Sequence, residues 1–290
     1  MESNRTISAA QRSPVNICVL CAVWNAEEWI GRSLDSIAAQ RYPHFRCAVI
    51  DDASTDATWA IAQERIARND RFIGWQNDTR LDSTTENHIA AVEAISKDPW
   101  DVMVVVDGDD WLAHPGVFDE IAAVYADPDV WLTYGSFQLW RNKLLERWGV
   151  RAERGWIRAY PDFVAEHNLF RYYHFEASHL RTWRRFLWDR IDSAHLKGPD
   201  DRYVNTAGDV ATMIPMLEMA GPAHIRYIDS LLYIYNHKNP LSMGRTRRSE
   251  QDLVDLQVRA LPRYRPLQQG EIEAQTDATA ATPARLYRGL

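Results

Sequence analysis

In the first half of the chain, short, largely apolar runs alternate with stretches in which apolar residues recur at helical spacing. Val15–Val23 is the first run. Trp29, Ile30, Leu34, Ile37 and Ala38 then form a stripe of helical period ending near Gln40. Asn25, with Glu28 three residues on, predicts a capping box at the start of that helix. Phe45–Ile50 predicts a second strand, Asp51–Asp56 a polar turn, and Thr58–Ala67 a helix with Trp59, Ala62 and Ile66 inward. Arg71–Trp75 predicts a third strand, and Ser83 with Glu86 a capping box opening a helix through Ile95. Asp101–Val106 is the fourth strand. Pro115, suited to a first helical turn, opens a helix to about Tyr125, and Val130–Trp140 is strand-like.

Strands separated by helices of this length imply right-handed βαβ crossovers and a mostly parallel sheet, an α/β class. The near-continuous apolar character of the second and fourth strands fits a sheet covered on both faces. The second half is less regular. Leu139–Phe175 is rich in aromatics, including Trp140, Trp148, Trp156, Tyr160, Phe163, Tyr172 and Tyr173, and most of these are expected to pack a second layer. Gly208–Met219 predicts a helix and Ile225–Tyr235 one or two strands. The organisation expected is an N-terminal arm over 1–14, one half of a domain over 15–140, its other half over 141–265, and a poorly ordered tail over 266–290.

Composition narrows the picture. The 290 residues, 46% of them hydrophobic, suffice for a sizeable core. No apolar run is long enough to span a bilayer, and the polar N-terminus lacks a signal-peptide centre, so a cytoplasmic protein is expected. Cys18 and Cys21 form a C-x-x-C, but residues three apart on a strand point to opposite faces, and buried thiols are the expectation. A net charge of −7 disfavours nucleic acid as a partner. The charge is uneven: Arg141–Arg190 holds eleven basic against six acidic residues.

The candidate chemistry lies where the predicted strands end. In an open parallel sheet, ligands bind beyond the carboxyl ends of the strands. Ala22-Val23-Trp24-Asn25, Asp51–Asp56 and Asp107-Gly108-Asp109-Asp110 fall there. Clustered carboxylates repel unless neutralised, and a hard cation such as Mg2+ or Mn2+ does so, commonly shared with substrate phosphates. Solvated turn aspartates are the plain alternative for any one cluster. There is no G-x-G-x-x-G after the first strand, no G-x-x-x-x-G-K-[ST], and no EF-hand spacing.

On these residues the first half resembles a family 2 glycosyltransferase of the GT-A fold. The matching pieces are VLCAVWNAEEWIGRSLDSIAAQRYPHFRCAVIDDASTDAT, Val19–Thr58, and VVVDGDDWL, Val104–Leu112. The resemblance implies a Rossmann-like, mostly parallel sheet flanked by helices, with a less regular acceptor-side region. It implies a nucleotide-sugar donor, UDP-linked by preference, and a metal cofactor, Mn2+ or Mg2+. Asp52 would read the base, with Ala22, Trp24 and Asn25 around the nucleoside; the family usually has Tyr at the Trp24 position. Asp107, Asp109 and Asp110 would hold ribose and metal. The family's base, an Asp at a helix start, matches Asp209, although Gly208-Asp209 stands where Glu-Asp is usual. YNHKNPLSMGR resembles the family's later His-containing pattern. His237 would meet metal or diphosphate, and Lys238, Ser242 and Arg245 would neutralise the leaving group. His179–Trp183 is motif-like without an assigned role; its Arg181 is a candidate diphosphate or acceptor contact.

The acceptor expected is a glycan or a lipid-linked group, with peripheral contact at the inner face of a membrane as one setting. Three other readings stay open. A nucleotidyltransferase would carry a glycine-rich basic loop after the first strand, which AVWNAEEW lacks. A non-catalytic nucleotide- or glycan-binding protein would not need every motif acid. A transferase acting on modified nucleic acid would use the local basic excess.

Overall fold

The structure, a computed structural model, describes residues 14–140, 155, 157–268 and 270–272. In chain order the first half supplies β1 (Ile17–Val23), α1 (Ile30–Ala38), β2 (Phe45–Asp51), α2 (Thr58–Ile66), β3 (Phe72–Gln76), α3 (Thr84–Ile95) and β4 (Val102–Val105). There follow β5 (Trp111–Leu112), α4 (Val117–Tyr125), β6 (Leu132–Leu139), α5 (Asp162–Glu166), β7 (Thr182–Arg184), α6 (Arg185–Trp188) and α7 (Gly208–Ala220). Last come β8 (Ile225–Tyr235), α8 (Met243–Thr246) and α9 (Arg248–Ala260).

One eight-stranded sheet runs in the order β3-β2-β1-β4-β7-β6-β8-β5. β3, β2, β1 and β4 are parallel neighbours, as the alternation of strands and helices predicts. All four residues of β4 are buried, as are six of seven in both β1 and β2. This is the two-sided cover that a parallel sheet needs. Cys18, Cys21 and Cys47 are free, buried thiols in this layer, and desolvation pushes both Cys18 and Cys21 up to about 12.

The sheet changes character after β4. β7, three residues from the arginine-rich stretch, pairs antiparallel with both β4 and β6. β8 is a single strand of eleven residues, parallel to β6 and antiparallel to β5. It thereby bends the far edge of the sheet back towards the segment that follows β4.

One main core runs along both faces of the sheet, and a small second cluster of Leu196, Val204, Val210, Ala211, Ile214 and Val258 sits under α7 and α9. α7 is anchored at its far end by a buried ion pair. Arg171 Nε donates to Glu218 Oε1 at 2.7 Å, and both side chains are fully shielded from solvent. Leu267 N donates to Met219 O at 2.8 Å and Ile272 is 2% exposed, so the first part of the expected tail docks on α7. Residues 1–13 of the expected arm and most of that tail, with Trp148 and Trp156, lie outside the described residues.

The two predicted capping boxes fare differently. Ser83 caps α3, its Oγ accepting from Glu86 N at 3.2 Å while donating to Val204 O at 2.8 Å. Asn25 does not cap α1, which starts at Ile30 with no side-chain cap. Instead Asn25 adopts φ 44, a left-handed conformation that Asn tolerates, and its Oδ1 accepts from Thr55 N at 2.8 Å. The reason is tertiary. The loops after β1 and β2 lie side by side, and Asn25 joins them, its own N–H donating to Ser54 Oγ at 2.8 Å.

Candidate active site

The carboxyl ends of β1, β2 and β4 open into a cleft of about 270 Å3. Ala22, Trp24, Asp52, Asp107, Asp109, Asp110, Arg181, Asp209 and Ser242 line it. Residues far apart in sequence thus meet at one rim. Asn25, His237, Lys238 and Arg245 are not part of the lining. Asn25 joins the two loops behind the wall, as described above. His237, Lys238 and Arg245 are exposed, and Lys238 Nζ sits 4.7 Å from the Trp140 ring centre.

The acidic loop after β4 is fixed from two sides. Asp110 is 1% exposed and accepts from Tyr233 Oη at 2.8 Å and from Asn236 N at 2.7 Å. Asp107 N donates to the same Tyr233 Oη at 3.1 Å, so β8 holds the loop at both ends. Desolvation, reinforced by Asp109 and Asp107, pushes Asp110 well above the usual carboxylate range. Asp109 accepts from Asn239 Nδ2 at 2.8 Å, and its burial raises it to about 6. Gly108 is required by close approach: a Cβ there would lie 2.5 Å from Val23 Cβ. Gly108→Ala is therefore expected to push the loop off β1 and cost about 1–3 kcal/mol, read as a lower urea midpoint.

Asp52 is held as firmly. Its Oδ1 accepts from Asn77 Nδ2 and Leu81 N, both at 2.9 Å, and its Oδ2 from Asp82 N at 3.0 Å. These bonds anchor the loop that carries Arg80, whose guanidinium lies 3.4 Å from the Trp24 ring centre. Asn25, Ala53, Asp82 and Ala207, all at the cleft or beside its lining residues, have positive φ. Such strain collects where the surrounding structure fixes a functional backbone.

Arg181 joins the acidic loop to α7. Its Nη2 lies 3.2 Å from Asp107 Oδ2 and its Nη1 3.8 Å from Asp209 Oδ2. Asp209 sits in the first turn of α7, where the helix dipole favours a carboxylate. The residue before it has no room for the usual Glu. A Cβ on Gly208 would lie 2.6 Å from Thr85 Oγ1 on α3.

Among the described residues, the cluster able to hold a cation is Asp107, Asp110 and His179, with one ligand atom from each within 4.8 Å of the others. It shares Asp110 with the metal set expected from sequence, Asp109, Asp110 and His237. His179 Nδ1 is buried without a hydrogen-bond partner and lies 3.8 Å from Asp107 Oδ2. Its ring stacks on Tyr233 at 4.6 Å, and desolvation together with Arg181 pushes it well below its ordinary value, leaving the neutral imidazole that a metal needs. The nitrogen and oxygen donors fit a divalent cation such as Mn2+. Thr85, His88 and Tyr233 stand in no motif that the sequence singles out, and Asn239 lies within YNHKNPLSMGR without an assigned role. The motif-like His179–Trp183 was the one visible signal for His179, and its meaning depends on β7 slotting between β4 and β6.

Comparison with known proteins agrees with this geometry. The model of the family "Glycosyl transferase family 2" matches residues 18–191. The putative glycosyltransferase EpsE of Bacillus subtilis is 30% identical over 141 residues, which are 48% of this chain and 47% of EpsE. An uncharacterised glycosyltransferase of Haemophilus influenzae is 26% identical over 47% of this chain and 46% of its own length. The matches thus span about half of each of these relatives. Among solved structures, S. aureus TarS 1-349 in complex with UDP-GlcNAc has a TM-score of 0.59 at 15% identity, covering 92% of this chain and 72% of that one. The mannosyltransferase PcManGT of Pyrobaculum calidifontis, in complex with GDP-Man and Mn2+, has a TM-score of 0.56 at 15% identity, covering 93% and 76%. These last two are likenesses of fold, and the fold they share is GT-A. With most of its sheet and the acidic loops after β2 and β4 inside the matched region, the chain belongs to glycosyl transferase family 2.

Proposed function

We propose that the chain moves a sugar from a nucleoside diphosphate donor, UDP-linked by preference, to a hydroxyl of a glycan or lipid-linked acceptor, in one inverting, metal-dependent displacement. The observation that carries this reading is Arg181, which brings Asp107 of the acidic loop and Asp209 of α7 to one guanidinium. The donor and the attacking hydroxyl would then meet between them. The ligands of TarS and PcManGT, a nucleotide sugar in each and Mn2+ in the second, support the choice of donor and cofactor.

In this reading Trp24 and Asp52 receive the nucleoside, Trp24 offering a ring face and Asp52 its carboxylate. Asp107, Asp110 and His179, with Asp109 beside them, would hold Mn2+ or Mg2+. The cation supplies Lewis-acid stabilisation of the charge on the departing diphosphate. Asp209 takes the proton of the acceptor hydroxyl as its oxygen bonds to the anomeric carbon. The bond from that carbon to the diphosphate oxygen breaks, and the nucleoside diphosphate leaves. Arg181, 3.8 Å from Asp209 Oδ2, directs that carboxylate towards the donor. Ser242 lines the same cleft and would meet the diphosphate, while Lys238 and Arg245 lie outside the lining.

The stereochemistry tests the single displacement. Proton NMR of the first-formed product should show the anomeric configuration opposite to that of the donor. Retention would contradict a mechanism with Asp209 as its base.

A further inference from the structure

Three polar atoms at the α3–α7 end of the cleft have no partner among the described residues: Thr85 Oγ1, His88 Nε2 and Arg181 Nε. Their side chains all line the cleft, and the residues are 2%, 8% and 8% exposed. Thr85 and His88 stand three residues apart on α3 and share a face. Thr85 Oγ1 abuts Gly208, immediately before Asp209, and Arg181 reaches Asp209 itself. Buried polar atoms are nearly always paired, so three orphans together beside the candidate base point to a ligand that pairs them.

The chemistry of that ligand follows from donors, acceptors and charge. Arg181 Nε can only donate, while a threonine hydroxyl and a neutral imidazole can each do either. Sugar hydroxyls also do either, so they match all three. Burial, with the Arg181 charge beside it, pushes His88 down to about 3, so it brings no positive charge. Six aspartates and two arginines line the cleft. Both arginines are already taken: Arg181 by Asp107 and Asp209, and Arg80 by Asp82 at 2.6 Å. Among the described residues, no unpaired cationic side chain of the lining is left for a carboxylate.

We propose that the end of the cleft formed by Thr85, His88 and Arg181 beside Asp209 seats the transferred sugar, and that it takes an uncharged, hydroxyl-bearing pyranose and rejects a uronate. This deepens the donor-site reading above and rests on it. Thr85 and His88 are its specificity residues.

Calorimetry on the full chain with Mn2+ tests this, using UDP, UDP-glucose, UDP-N-acetylglucosamine and UDP-glucuronate, and the parallel series GDP, GDP-mannose and GDP-mannuronate. In the nucleoside series that binds, the neutral conjugate should bind about tenfold more tightly than the uronate. Equal or tighter binding of the uronate would overturn the proposal. Thr85→Val, which keeps shape and loses the hydroxyl, and His88→Leu should each weaken the neutral conjugate several-fold and leave the bare nucleoside diphosphate unchanged. A parallel loss of both ligands, or no change in either, would overturn the pocket. Binding of nucleoside diphosphates with no gain from any sugar would overturn it too, while leaving the donor-site reading intact. No binding of any nucleoside diphosphate would overturn that reading and the pocket with it.

Discussion

Asp209→Asn is expected to lower kcat by about 10²–10⁴-fold while leaving affinity for the nucleoside diphosphate nearly unchanged. The side chain keeps its shape and its place in the first turn of α7, so the fold has no reason to move. What disappears is the ability to take a proton from the acceptor hydroxyl. Arg181 keeps its closer partner, Asp107 at 3.2 Å, and so holds its position. Steady-state kinetics and calorimetry separate the two effects. A kcat within a few-fold of the parent would mean that another group is the base and that Asp209 serves only the helix dipole.

Asp107→Ala is expected to weaken binding of the sugar nucleotide in Mn2+ by about 10²-fold or more, because both the cation and the diphosphate lose an anchoring carboxylate. A second consequence concerns the ligand-free protein. Asp107 lies between Arg181 and the candidate cation ligand His179, and its side chain is 28% exposed. Its removal leaves Arg181 with only the more distant Asp209, and the cost of a stranded buried cation is expected to reach about 1–3 kcal/mol after discounting for solvent. Urea unfolding reads that cost and calorimetry the binding loss. Asp107→Asn, which keeps volume and loses charge, should show most of both effects. Unchanged metal-dependent binding in either variant would remove Asp107 from the site.

Much of this arrangement is legible in the sequence because local signals and global fold agree. The runs at Ile17–Val23, Phe45–Asp51 and Val102–Val105 are continuous or nearly continuous in apolar residues because both faces of the sheet are covered. The acids that follow two of these runs therefore share a rim. Ser83 is legible as a cap because its partner lies three residues away. Asn25 has the same local pattern, but the neighbouring loop competes for its side chain with Thr55 N, which no local rule reveals.

The second half is harder to read for a similar reason. β7 is three residues long and gains its identity only from β4 and β6 on either side. Its placement is what brings His179 and Arg181 into the cleft. His237 follows a strand, as a site histidine would, but the turn after β8 leaves it exposed while Asn236 and Asn239 face the acidic loop. The pairing of Thr85 with Gly208 spans more than a hundred residues and carries no sequence signal at either position.

The most direct test of the central claim is a thermal-shift series with UDP-, GDP-, CDP- and dTDP-sugars, first in Mn2+ and then in EDTA. A ligand present at about 100 times its Kd stabilises the native state by ~2.7 kcal/mol, a shift of several degrees for a chain of this size. Stabilisation by one nucleoside family, lost on chelation and absent in Asp107→Ala, is the expected result. No metal-dependent shift with any of the four would contradict the donor site at Asp52, Asp107 and Asp109.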